Sequence, residues 1–154
     1  MAKVGLAQIA QLAEIIAAVA VIVSLIYVGR ELAANTAAVR GATLQTVTGI
    51  QGNILLLQAG DSIVNRIRYL GDQDPSLLSE LEARQYYLLL RQTWINLQNV
   101  FFQFDLNLIE PRAWAVYHRT ICGIWRTPGP RRTWADHREV LDAEFAELVE
   151  ACSE

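Results

Sequence analysis

Lysine is almost missing from this chain of 154 residues: Lys3 is the only one, and the remaining basic residues are arginines. With a net charge of -3, that scarcity excludes the lysine-rich electrostatic footprint of a nonspecific nucleic-acid binder, and no nucleic-acid partner is expected. Cysteine is scarce too. Cys122 and Cys152 are too few for a disulfide framework and fit a reducing compartment, with a single bridge as the alternative. Proline occurs only four times, and β-branched runs are rare beyond the first 30 residues, which favours helix over sheet. The glycines are scattered and form no phosphate-cradling loop, and no nucleophilic serine motif is present. No catalytic residue, cofactor or metal is expected, and the chain does not read as an enzyme.

What the sequence has in excess is apolar surface: 53% of residues are hydrophobic and only 19% charged. The excess is local, because residues 1–30 carry only Lys3, Glu14 and Arg30 as charges. Residues 15–29 hold no charge at all, and Ser24 and Tyr27 are their polar members. These positions span roughly 22 Å of helix, against about 30 Å of bilayer hydrocarbon. Extension back to Ile9 supplies the length and brings Gln11 and Glu14 to one interface, while Tyr27 and Arg30 suit the other. A single-pass anchor over residues 1–30 is the expectation. A cleaved signal peptide fits less well, since the n-region has only Lys3 and no clean small-x-small site closes the apolar run before Arg30 and Glu31, and a buried core helix is the third reading. Arg30 and Arg40 against Lys3 place the rest of the chain in the cytoplasm by the positive-inside rule.

The helical pattern does not stop at Arg30. Leu32, Val39, Thr43, Val47, Ile50, Ile54 and Leu57 recur at spacings of three, four and seven, and no proline intervenes before Pro75. The first helix of the domain at 31–154 is therefore expected to continue the anchor to about Leu57. Gly60-Asp61-Ser62 signals a stop and a new N-cap, followed by a helix at about 62–70 and a loop at 71–75. Residues 77–108 form the longest candidate of the domain, and it has two apolar faces. One holds Tyr86, Tyr87, Leu90, Trp94, Leu97, Phe101 and Phe104. The other is a heptad stripe of Leu81, Leu88, Ile95 and Phe102. A helix apolar on opposite sides is either the centre of a bundle or packs one face on its own core and the other on a partner. Glu110-Pro111 opens a helix to about 125, Thr127-Pro128-Gly129-Pro130 breaks it, and helices at about 131–137 and 142–151 follow. The fold class is all-α: a long membrane-anchoring helix and a small helical bundle.

The run Asn35-Thr36-Ala37-Ala38-Val39-Arg40-Gly41-Ala42-Thr43-Leu44-Gln45 resembles a segment found in a functionally uncharacterised family of small bacterial proteins. The layout from Asn96 to Phe104, through the Trp114 helix, to a Pro-Gly break and a further tryptophan is similar as well. The resemblance implies a bacterial inner-membrane protein with an N-terminal transmembrane helix and a helical cytoplasmic domain. It brings no activity and no site with it.

Residue types able to do chemistry occur in a few groupings. His118 and Cys122 stand at i, i+4, but two ligands do not make a zinc site, and the spacing of His137 and Cys152 matches no ligand pattern. Glu80 and Glu82 lie on different helix faces and read as solvated. Charge is segregated near the end of the chain: residues 112–138 contain six arginines and one acid, and residues 139–154 contain six acids and no base. Within the basic stretch, Arg112, Trp114, Arg119, Trp125, Arg126, Arg131 and Arg132 are the expected contacts with membrane lipid, since each basic residue near an anionic surface is worth about 1 kcal/mol. The competing reading pairs them with the acidic tail, where surface pairs contribute about 0–1 kcal/mol each. Two roles emerge. The first is an interaction or scaffold subunit that forms a homo-oligomer or joins a larger membrane complex through Leu81, Leu88, Ile95 and Phe102. The alternative is an oligomeric pore or transport accessory with Gln8, Gln11 and Glu14 near its mouth.

Overall fold

The computed structural model describes residues 5–153; Lys3, which entered the orientation argument, lies outside them. The described residues form seven α-helices and two short 3-10 turns, with no strand. The fold is all-α, as expected. The chain divides into two compact units, Met1–Gly41 and Ala42–Glu154, with the division inside the first helix.

Helix α1, Leu6–Gly60, is the 55-residue element that the uninterrupted apolar and helical pattern demands. In the first unit its apolar side chains from Ile9 to Leu32 are all exposed. The hydroxyls of Ser24 and Thr36 donate to the Ala20 and Leu32 carbonyls of the preceding turn, so neither needs an outside partner. That is the arrangement hydrocarbon requires of a polar group. α1 is long and apolar enough to cross a membrane, with a window of mean hydropathy 2.4 and none of that window buried.

The second unit begins with the last third of α1 and continues through α2 (Ser62–Gln73), a 3-10 turn (Pro75–Leu77), α3 (Glu80–Asp105), α4 (Pro111–Arg126), α5 (Pro128–Arg132), α6 (Trp134–Arg138), α7 (Ala143–Glu150) and a 3-10 turn at Ala151–Ser153. Asp61 caps α2 by accepting the amides of Ile63 and Val64. α2 runs past the expected stop at residue 70 because Asp72 is held from two sides, by Arg68 at 3.0 Å and by the Tyr86 hydroxyl at 2.9 Å. α3 is shorter than its apolar pattern at both ends. At its start the Glu82 carboxylate accepts both the amide and the hydroxyl of Ser79, so Glu82 is a capping residue rather than a freely solvated acid. It also pairs with Arg66. At its end Asn107 takes a left-handed φ of 58°, and the amides of Asn107 and Leu108 donate to the Phe104 and Gln103 carbonyls. This closes the helix as a Schellman motif. The single helix expected at 131–137 is two helices, because Thr133 leaves the helical path and its hydroxyl bonds back to the Gly129 carbonyl.

Tyr86, Leu90, Trp94 and Leu97 of α3 bury one face against Ile67, Ile121, Trp125, Trp134, Phe145, Ala146 and Val149. Trp94 and Trp134 meet edge to face with centroids 5.2 Å apart, and Trp125 meets Trp134 likewise at 5.3 Å. A second, smaller cluster joins Val47 of α1 to Val100 and Ile109. The broad aromatic face of α3 is thus the core face.

Candidate interaction surfaces

Helix α3 is not the centre of a bundle. Its second stripe faces outward: Leu81 is 69% exposed, Leu88 55%, Ile95 39% and Phe102 39%. Four residues at heptad spacing remain uncovered by their own chain. Beside Leu88 lies a groove of about 470 Å³ between α2 and α3, lined by Ile63, Val64, Ile67, Leu88 and Leu89 together with the polar Asp61, Gln85 and Gln92. Ile63 at its mouth is itself 62% exposed.

The arginine and tryptophan stretch sorts by helical phase. Trp125 is buried in the core, and Trp114 is half-buried, stacked on Phe104 at 4.8 Å and tilted against Phe101 at 6.0 Å. The expectation that Trp125 contacts lipid is corrected: it points to the side of α4 opposite the arginines. Arg112, Arg119 and Arg126 stand seven apart on the outer face of α4, exposed, together with exposed Val116 and Gly123. None of the three arginines makes an ion pair among the described residues. Arg131 and Arg132 are also exposed but engaged. Arg131 lies 5.5 Å over the Trp125 ring, and Arg132 pairs with Asp74 at 2.7 Å, not with the acidic tail. Hydrogen bonding from Arg132, then from Ser76, holds Asp74 at about 2, well under its ordinary value of 3.8.

The acidic tail does take one arginine. Glu150 accepts from Trp134 Nε1 at 2.8 Å and from Arg138 Nε at 2.8 Å, and both bonds draw its pKa down. These contacts fasten α6 to the end of α7. Next to Arg138, His137 is fully buried and stacks on Tyr87 with centroids 4.6 Å apart. Burial lowers its pKa, the nearby Asp136 opposes that shift, and Arg91 adds to it.

At the start of α1, Gln8, Gln11 and Glu14 are all exposed, and the spacing of three keeps them on one side of the helix. Gln8 accepts from the Gly5 amide at 3.3 Å. The structure therefore brings these three together along one flank of α1.

The cysteines are not free thiols. Cys122 on α4 and Cys152 in the last turn are joined in a disulfide, with their Cα atoms 5.1 Å apart. The inner side of α4 and the turn after α7 converge within bridging distance, which a sequence separation of 30 does not disclose. His118, one turn before Cys122, places Nε2 3.9 Å from its Sγ.

The second unit is thus a small helical module, beginning inside a helix that is long and apolar enough to cross a membrane. No protein-family model matches the chain, and neither a curated protein nor a solved structure matches it.

Proposed function

We propose that this chain is a single-pass protein of a bacterial inner membrane whose helical module is an interaction subunit, assembling with itself or within a larger membrane complex. The observation that carries the reading is the uncovered heptad stripe of α3 next to the α2–α3 groove. Apolar residues repeated every seven positions supply one row of a helix-pairing seam, in which each side chain fills a hole on the facing helix. An exposed seam flanked by a groove is a surface with an unfilled partner position. The anchor concentrates copies in two dimensions, so modest apolar burial suffices for association.

The outer face of α4 supports a second contact in the same reading, with anionic lipid. Three arginines spaced by one heptad around Val116 present charge and a small apolar centre to one plane. Arg30 and Arg40 on the domain side of the apolar segment favour the cytoplasmic orientation. Light scattering of the full chain in detergent tests the assembly. An oligomer that becomes a monomer in the Leu88→Ser, Ile95→Ser double variant supports the reading. A monomer in both proteins sinks it. Because both positions are exposed, the substitutions leave the core intact, and an unchanged helical circular dichroism spectrum separates lost association from lost folding.

A further inference from the structure

Three side chains with soft or borderline donor atoms meet at the end of the bundle. His118 and Cys122 share a face of α4 one turn apart, and Cys152 is brought to them by the turn that follows α7. Their donor atoms, one from each residue, all lie within 4.8 Å of one another. A disulfide alone requires two of these residues. The third, an imidazole whose Nε2 is directed at Cys122 Sγ, is unexplained by the bridge.

The same three groups are a ligand set. Zinc takes thiolates at about 2.3 Å and imidazole nitrogen at about 2.0–2.1 Å, so donors around one tetrahedral ion stand about 3.4–3.8 Å apart. The His118–Cys122 separation of 3.9 Å is already close to that value. The i, i+4 placement is the one by which a helix offers two ligands to a single ion. The two sulfurs must part from bonded to van der Waals separation, and the widest of the three donor separations, within 4.8 Å, must close to about 3.8 Å or less.

We propose that His118, Cys122 and Cys152 form a redox-gated site for zinc. In the bridged state each sulfur is bonded to the other and neither is a thiolate, so the site is shut. A dithiol reductant delivers two electrons and two protons to the Cys122–Cys152 bond, which breaks, and the reductant is oxidised to its own disulfide. Two thiols result. Zinc then displaces both thiol protons, takes the neutral His118 Nε2 as its third ligand, and keeps a fourth position for water or an external ligand. Half-buried His118 leaves the site within reach of solvent. Metal and disulfide are mutually exclusive, so the compartment's redox poise selects between two ways of fastening the chain end to α4.

The test uses the full chain in detergent, air-oxidised or reduced with dithiothreitol and then freed of it under anaerobic conditions, titrated with cobalt(II) as a coloured substitute for zinc. The reduced protein is expected to bind one equivalent, with a thiolate-to-cobalt charge-transfer band and tetrahedral ligand-field bands that zinc abolishes. The oxidised protein gives neither band. His118→Ala, which retains both sulfurs, weakens cobalt binding by about tenfold or more, in line with the loss seen when a ligand environment is disrupted. Zinc raises the melting temperature of the reduced protein and leaves that of the oxidised protein unchanged. A reduced protein without a charge-transfer band, or a His118→Ala variant that binds as tightly as the parent, overturns the proposal.

Discussion

A Cβ placed on Gly129 would collide with the backbone carbonyl of Gly71, where α5 crosses the end of α2. The Tyr86 hydroxyl lies 2.7 Å from the same point, and Tyr86 ring atoms crowd Gly71 from the other side. Two glycines and one tyrosine thus interlock three helices. Burial, with the Asp72 carboxylate beside it, pushes the Tyr86 phenol well above its ordinary range and keeps it a neutral donor to that carboxylate.

The first prediction follows from that crossing. Gly129→Ala forces α5 away from α2 and loosens the Tyr86–Asp72 bond, at a cost of about 1–3 kcal/mol typical of overpacking. Thermal unfolding followed by circular dichroism should show a drop of several degrees. Gly123→Ala is the control: a Cβ there meets nothing within 4 Å, and in a helix interior alanine is favoured over glycine by up to about 1 kcal/mol, so its melting point should hold or rise.

The end of α3 gives a second test. Asn107 holds a left-handed backbone that costs most residues about 1–2 kcal/mol. Asn107→Gly should leave stability unchanged or slightly raised, and Asn107→Val should lower it by about that amount. Equal melting temperatures for the two variants would show that the turn is not held in the observed conformation.

His137 sets an acid limit on stability. Its folded pKa is depressed by burial, so below the unfolded value of about 6.5 the unfolded chain binds a proton that the folded chain refuses. Stability should therefore fall as pH drops from about 6.5 toward the folded pKa, with a slope of at most about 1.4 kcal/mol per pH unit. Asp74, near 2, and Glu150, also lowered, lose their partners only at more acidic pH, below the carboxylate values of 3.8 and 4.5. The two windows are separable. His137→Phe keeps the stack on Tyr87 and removes the titrating group, so its urea midpoint measured between pH 6.5 and 5 should flatten while the loss below pH 4 persists.

Much of this architecture is written in local signals. The length of α1 follows from an unbroken helical pattern without proline, and Asp61 and Pro111 mark helix starts by chemistry that acts within one turn. The core face of α3 is legible because aromatic residues recur at helical spacing from Tyr86 to Phe104. What the sequence hides is tertiary. The Cys122–Cys152 bridge, the Arg132–Asp74 pair and the Gly71–Gly129 crossing each join residues far apart in the chain, where no spacing rule applies. The reading of Trp125 as a surface residue had a different cause. Tryptophan and arginine alternate along residues 112–132, and only helical phase separates them: Trp125 and Ile121 fall on one side of α4, Arg112, Arg119 and Arg126 on the other. In α3 the outer stripe is legible from the same phase, because its heptad is apolar throughout.

That outer face of α4 leads to the last prediction. If Arg112, Arg119 and Arg126 meet anionic headgroups, each contributes about 1 kcal/mol, or roughly fivefold in the docking equilibrium. Hydrogen exchange of α4 amides in full-length protein reconstituted into nanodiscs measures that docking directly. Protection should increase when neutral lipid is replaced by anionic lipid, and the increase should shrink at high salt, because exposed charges are screened over about 8 Å at physiological ionic strength and over about 3 Å at 1 M. Replacing all three arginines with glutamine should remove the lipid dependence while leaving exchange in neutral discs unchanged, since none of them makes an ion pair within the described residues. Arg132→Gln is the contrasting variant: it breaks the pair with Asp74 and should alter exchange where α5 meets the Pro75 turn, equally in both lipids. Exchange in α4 that is indifferent to lipid charge would leave the arginine stripe as a solvated face.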